Sequence, residues 1–315
     1  MIKIAIVGTG IIGLSHIKAL KKIPDCKIAA LCDLNEQVVK ELAEDCACPY
    51  FLNYKDIPDS IDCDAVILNL PHGLHCEASI FFLERGIHVL VEKPMANTVE
   101  ECEKMIEAEK KSGKKLAIAH IQRYFQTNRT IKELVDSGTL GKLCMTTECR
   151  SIDYFKDSRP RWFLSKKAAG GGILMNYGAH ALDRLQYITG STPKIAIGSA
   201  ANLKNEYDIE GHAQGFVEFE SGVASAITFS GYNTVAYEDI FYFTNGAIRT
   251  TGNNSLKYKV GEGDWINVEI NPGADAIELE IIEFIKLIKG EEADIPDAEY
   301  GKSVIEAIEK IYGQL

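Results

Sequence analysis

Short apolar runs alternate with stretches of helical periodicity through the first 120 residues. Ile2–Val7, Lys27–Cys32, Asp64–Leu70, His88–Val91 and Lys115–His120 read as strands. Between them, Ile11–Lys22, Glu36–Asp45, His75–Glu84 and a segment from Thr98 to Ser112 read as helices. The punctuation agrees with this division. Pro24 stops the first helix, Asn35 caps the second and Gly86 ends the third. Thr98-Val99-Glu100-Glu101 has the form of a capping box, and Gly113 lies just past the end of the helix it opens. Asp64–Leu70 holds an unbroken apolar run, Ala65–Leu68, instead of alternating, the pattern of a parallel strand covered on both faces. Regular βα alternation predicts a doubly wound parallel sheet, a Rossmann-type domain over residues 1–121.

The texture changes after residue 122. A helix at Asn128–Ser137 leads to a strand at Leu143–Arg150, a loop rich in Arg, Asp and Lys, and a long segment from Gly170 to Gly190. From Lys194 to Ile270 the pattern is period-two, with Glu220-Ser221-Gly222 between two runs and Asn245-Gly246 as a two-residue hairpin turn. Helices at Ala274–Lys289 and Asp297–Tyr312 close the chain. Residues 122–315 are therefore expected to form an α+β domain on a mostly antiparallel sheet, with the closing helices able to pack back on the first domain.

Composition narrows the classes. A chain of 315 residues has room for two domains, and 46% apolar with 25% charged residues is the balance of a globular protein. No apolar run approaches the roughly 20 residues of a membrane span, and the first residues read as a strand and not as a signal peptide. A net charge of −11 argues against nucleic acid as a partner. The nine cysteines are odd in number and scattered, as in a reduced, cytoplasmic protein. Cys46-Ala47-Cys48 lacks C-x-x-C spacing, and His72 and His75 have no further ligand set, so no metal is expected.

Gly8-Thr9-Gly10-Ile11-Ile12-Gly13 fits G-x-G-x-x-G with a strand before it and a helix after it. The second strand ends in Asp33, 20 residues after Gly13, where a carboxylate can take ribose hydroxyls and would repel a 2′-phosphate. NAD is expected as cofactor, with NADP the weaker candidate. Leu70-Pro71 and Glu92-Lys93-Pro94 close two strand runs at the carboxyl edge, where ligands bind in such sheets. Both are expected at the cofactor, as is His75 at the start of the next helix.

Adjacent residues of a strand point to opposite faces, so Glu92 and Lys93 should divide between scaffold and site. Farther along, three glycines (Gly170, Gly171, Gly172) open a helical segment, leaving its first amides accessible. Asn176, His180 and Asp183 follow at i, i+4 and i+7, one polar stripe on a helix that is otherwise apolar.

Together, Gly8–Gly13, Asp33, Glu92-Lys93-Pro94, Gln122-Arg123-Tyr124 and the Gly170-to-Asp183 segment resemble, in order and over essentially the whole chain, the Gfo/Idh/MocA oxidoreductases. The resemblance implies an N-terminal Rossmann domain and a C-terminal domain with a large open sheet that pairs subunits into a homodimer or homotetramer. It implies reversible NAD(P)-dependent oxidation of a secondary alcohol on a sugar, sugar derivative or cyclitol. Lys93 would stabilise the alkoxide and His180 accept the hydroxyl proton, with Asn176, where the family commonly has Asp, positioning. Substrate contacts are expected from Lys93, Arg123, Tyr154, Asn176, His180 and Asp183, and a cofactor contact from Trp162. The loop Ser151–Lys167 is expected to set specificity. The family also implies two alternatives: a transient oxidation by tightly bound NAD that serves glycoside cleavage, and a catalytically silent NAD-responsive regulator.

Overall fold

The structure, a computed structural model, describes residues 1–313 apart from Asn205, Asn253, Asn254 and Pro272. The chain divides into two units, residues 1–121 with 274–302, and residues 122–273 with those from 303 on.

The first unit begins with β1 (Ile2–Val7), α1 (Ile11–Leu20), β2 (Cys26–Cys32), α2 (Glu36–Cys46), β3 (Tyr50–Phe51) and α3 (Ile57–Ser60). It continues with β4 (Ala65–Leu68), α4 (His75–Glu84), β5 (His88–Glu92), α5 (Val99–Ser112) and β6 (Leu116–Ala119). Among the described residues the strands form one parallel sheet in the order β3-β2-β1-β4-β5-β6. The order reverses between β1 and β4, and the crevice outside their carboxyl ends is where such sheets bind ligands. β4 is buried at every position, as its unbroken apolar run requires. Asn35 caps α2 by accepting from the Val38 amide, and Thr98 caps α5 by accepting from that of Glu101.

In the second unit come α6 (Gln126–Asp136), β7 (Leu143–Ser151), α7 (Lys166–Ala169) and α8 (Ala179–Thr189). The strands β8 (Pro193–Ala201), β9 (His212–Phe219), β10 (Ala224–Ser230), β11 (Tyr237–Phe243), β12 (Gly246–Thr251), β13 (Ser255–Val260) and β14 (Ile266–Val268) follow. The sheet order is β14-β13-β12-β11-β7-β10-β9-β8, antiparallel except where β7 and β10 run parallel. Two helices end the chain, α9 (Ala276–Lys289) and α10 (Ala298–Ile311). α9 belongs to the first unit, where Ile281, Phe284 and Ile285 join the core of Ile4, Ile6 and Leu90. No helix among the described residues is long and apolar enough to cross a membrane.

One turn differs from the sequence expectation. Phe243 pairs with Gly246, so the hairpin loop is Thr244-Asn245 and not Asn245-Gly246. Neither loop residue has a positive φ, so the turn does not need the glycine. Gly246 is instead the first residue of β12, where a Cβ would lie 2.2 Å from the Lys259 carbonyl oxygen. Close approach of β13 selects the glycine here.

Candidate functional site

The dinucleotide loop is shaped by what its glycines avoid. Gly8 has φ +91°, and a Cβ there would meet the Asn69 carbonyl oxygen at 2.3 Å. At Gly13 a Cβ would sit 2.1 Å from the Gly8 carbonyl oxygen, so that glycine brings α1 against its own loop. Gly10 is different, because nothing lies within 4 Å of its Cβ position. That open face at the N-terminus of α1 suits an anion approaching the backbone. Asp33 stands at the end of β2, its Oδ2 accepting from the Thr9 amide (2.7 Å) and hydroxyl (2.9 Å). Thr9 is thereby buried, its amide turned to Asp33, whereas Ile11 is 83% exposed. Leu34, Asn35 and Glu36 follow Asp33, a set with no cation for a 2′-phosphate. These residues fit an NAD: the loop would hold its pyrophosphate and Asp33 its ribose hydroxyls.

The strand ends beyond β4 and β5 depart from expectation in two places. His75 is fully buried; one ring nitrogen faces the Pro94 carbonyl oxygen at 2.8 Å and the other that of Leu70 at 2.9 Å. It is a strut joining the Leu70-Pro71 and Lys93-Pro94 turns and not a cofactor contact. Burial pulls the ring's pKa down against the upward pull of the two carbonyls. Glu92, also expected at the cofactor, faces the interior. Its Oε2 accepts from the Lys93 amide at 3.1 Å, and its Oε1 lies 3.9 Å from His16 Nε2. Glu280 of α9 approaches the same nitrogen at 3.7 Å. His16 Nδ1 holds Asn69 Oδ1 at 2.8 Å, and the Asn69 amide donates to the Gly8 carbonyl. A buried imidazole with two carboxylates thus lies between the glycine loop and the strand end that carries Lys93.

Burial, reinforced by Glu280 and opposed by His16 and Lys93, pushes the Glu92 carboxyl up from 4.5 to about 7. The folded protein keeps a proton there that the unfolded chain releases, so stability falls as pH rises through that window and is level above it. The loss is on the order of 3 kcal/mol. A Glu92→Gln protein should lack this fall; thermal unfolding at several pH values compares the two. Parallel curves for variant and wild type would dismiss the buried proton.

In the second unit, the segment before α8 carries the polar residues, and Leu174–Gly178 winds as a π-helix. Its first amides are not accessible, because Glu210 accepts from the Gly172 and Leu174 amides at 2.7 and 2.8 Å. The Tyr312 hydroxyl donates to the same carboxylate. Gly172 is required here, since a Cβ would come 2.0 Å from the Glu210 carbonyl oxygen.

The wider turn also breaks the expected stripe. Asn176 is buried and bonds to the Tyr154 hydroxyl, while His180 is half-buried and Asp183 is fully buried. Asp183 accepts from the Gln122 amide at 3.3 Å, which makes it part of the scaffold and not a substrate contact. Tyr154 is corrected likewise: it is fully buried and its hydroxyl also donates to the Gly172 carbonyl. Arg123, 7% exposed, lies over the Tyr187 ring and supports the unit from within. Trp162 stacks on Phe163, with ring centroids 3.7 Å apart.

Sequence reasoning passed over the network that holds α8. Arg184, buried, pairs with Asp239 of β11 and with Glu148 of β7, the latter at 3.3 Å. Its Nε donates to Asn128 Oδ1 of α6 at 2.8 Å. The Asn128 amide donates to the main-chain and side-chain oxygens of Gln122 at 2.8 and 3.1 Å, and Gln122 Nε2 lies 3.4 Å from His180 Nδ1. Burial pushes the Glu148 carboxyl up to about 8 against the pull of Arg184. Carboxylates at apolar positions, Glu280 among Ile277, Leu279 and Ile281 and Asp239 two residues before Phe241, were the available signal.

Residues 2–120 match the model of an oxidoreductase family with an NAD-binding Rossmann fold, and residues 128–249 match the GFO/IDH/MocA C-terminal domain. An uncharacterized oxidoreductase, YrbE of Bacillus subtilis (strain 168), is 25% identical over 303 residues, 90% of this chain and 85% of its own. Inositol 2-dehydrogenase 3 of Saccharopolyspora erythraea is 32% identical over 142 residues, 44% of this chain and 42% of its own. Among solved structures, the aldose-aldose oxidoreductase of Caulobacter crescentus superposes with a TM-score of 0.88 at 24% identity. It covers 99% of this chain and 97% of its own. With both halves matched, the chain belongs to the Gfo/Idh/MocA family of NAD-dependent oxidoreductases.

Proposed function

We propose that the protein oxidises, reversibly, a secondary alcohol on a sugar, sugar derivative or cyclitol, with Lys93 and His180 acting at the reacting oxygen. The observation that carries this is the sorting of the polar segment. Of Asn176, His180 and Asp183, only His180 reaches the surface of its unit, while the other two are spent on Tyr154 and Gln122. Lys93 follows a Glu whose carboxylate is engaged in the interior, and it stands at the carboxyl end of β5, the edge where such sheets bind ligands. Bound NAD⁺ supplies the hydride acceptor. The chain's own groups orient the hydroxyl and manage its proton, work typically worth about 10²–10⁴-fold in rate. NAD is the expected form over NADP, because Asp33 at the end of β2 would repel a 2′-phosphate and Leu34-Asn35-Glu36 after it offers no cation.

We infer also that copies pair through the outer face of the second sheet. Ile195, Ile197, Met145, Phe216 and Tyr242 are exposed there, with Ile197 opposite Phe216 and Met145 opposite Tyr242.

A panel of sugars, uronates, amino sugars and inositols with NAD⁺, and NADP⁺ in parallel, tests the reaction by NADH absorbance. At least one polyol should give NADH, and His180→Ala should lower that rate about a hundredfold or more. Turnover undiminished in His180→Ala would remove His180 from the site. A panel with no net NADH, while bound NAD is retained, would favour transient oxidation.

A further inference from the structure

We propose that Arg150 binds a carboxylate of the substrate beside His180, so that the polyol oxidised is a sugar acid. The inference deepens the proposed reaction and rests on the reading of His180 as a group at the reacting oxygen.

The placement follows from the strand pattern. Arg150 comes two residues after Glu148 on β7, so both side chains stand on one face of the sheet. Tyr237 of β11 lies directly opposite Arg150, as Asp239 lies opposite Glu148. α8 covers this face, since its Arg184 pairs with Glu148 and Asp239. Arg150, Tyr237 and His180 line one small cavity there, and all of these residues belong to the second unit.

Arg150 differs from the other arginines of this sheet in what it leaves unbonded. Arg184 takes both buried carboxylates, and Arg249 takes Glu238. The chain has 45 acidic residues, yet among the described residues no acceptor bonds or pairs with the Arg150 guanidinium. Its contacts are aromatic: the guanidinium carbon lies 3.9 Å from the Tyr237 ring centroid and 5.3 Å from that of Tyr177. A ring takes the face of a guanidinium and leaves the N–H groups at its edge to other partners. Arg150 is half-buried, so these donors remain within reach of a ligand. The hydroxyls of Tyr177 and Tyr237 likewise make no hydrogen bond among the described residues. Tyr177 also faces His180, with ring centroids 6.4 Å apart. A cation and two hydroxyls, all open to a ligand, therefore gather next to the histidine.

Partial burial costs the guanidinium hydration that no side chain replaces, and an anionic ligand would replace it. The guanidinium fork matches a carboxylate through two parallel N–H···O bonds. A phosphate fits the same fork, but its second charge calls for a second cation. The other guanidinium of the cavity, Arg184, is already taken by Asp239 and Glu148. A carboxylate is thus the better match, with the tyrosine hydroxyls open to the sugar's own.

The test compares matched sets with NAD⁺: glucuronate, galacturonate and gluconate, each beside the parent aldose and its 6-phosphate. NADH formation gives kcat and KM, and calorimetry on the NAD-loaded protein gives binding. At least one acid should exceed its parent sugar and the phosphate in kcat/KM. Arg150→Met should lower that acid-to-parent ratio about a hundredfold, the effect of losing a charge-assisted pair of hydrogen bonds. The loss should fall mainly on KM, because the carboxylate is held alike before and during hydride transfer. Arg150→Lys, a cation without the fork, should recover only part of it. A merely structural Arg150 would lower the unfolding temperature and leave the ratio where it stood, which overturns the proposal. So does a wild-type preference for the phosphates, or a panel of acids that neither binds nor reacts. If no sugar yields NADH but an acid binds wild type and not Arg150→Met, the carboxylate site stands and the proposed reaction fails. If neutral sugars alone yield NADH, the reaction stands and the carboxylate site fails.

Discussion

Lys93→Ala should lower turnover by at least about a hundredfold while leaving NAD affinity within a few-fold of wild type. Lys93 follows the last residue of β5, and its side chain bears on the reacting oxygen in the proposed mechanism, whereas dinucleotide affinity rests on Gly8–Gly13 and Asp33. Lys93→Arg sharpens the result. Arginine keeps the positive charge but holds its proton at any working pH, so it can replace an electrostatic lysine and not a basic one. Turnover of Lys93→Arg should therefore stay well above that of Lys93→Ala. Steady-state rates with an accepted polyol, beside NAD titration by fluorescence, measure both quantities. Near-normal turnover in Lys93→Ala would end the assignment. Turnover of Lys93→Arg as low as that of Lys93→Ala would mean that Lys93 supplies more than a positive charge.

The second large effect is on stability. Arg184→Met strands Glu148 and Asp239, both almost fully buried, without the cation between them. Breaking a buried pair in this way costs about 3–5 kcal/mol, because an uncompensated charge stays inside. A loss of that size is a large fraction of the roughly 5–15 kcal/mol that holds a domain folded. Urea unfolding should show it directly. Removing the carboxylates as well, with Glu148→Leu and Asp239→Leu, should recover most of the loss, since apolar groups of similar volume replace such clusters at little cost. A single substitution costing under about 1 kcal/mol would mean that water reaches the cluster.

Much of the fold was legible because its signals are local. β4 is apolar at every position, α4 begins and ends where periodicity placed it, and the glycine loop lies between a strand and a helix. What stayed illegible depends on partners distant in the chain. Glu92 reads as a charge at a strand end, and its burial follows only when α9 brings Glu280 against His16. Asp183 reads as one tooth of a polar stripe, yet it is committed to the Gln122 amide. Tyr154 and Arg123 sit in polar stretches and are nonetheless buried, which composition cannot reveal. Lys93 and His180 were named on motif and spacing, and that information identifies side chains without saying which groups lie beside them.

The π-helix at Leu174–Gly178 has a meaning for how such a chain could diverge. A π turn holds one residue more than an α turn, and each residue of an α-helix advances the azimuth by about 100°. Removing a single residue there would let the segment relax to α-helix and swing Asn176 around the axis relative to His180. The placement of Asn176 relative to His180 is therefore encoded in length as much as in identity. In an insertion or deletion of one codon, evolution has a way to change where Asn176 points relative to the histidine without altering either residue.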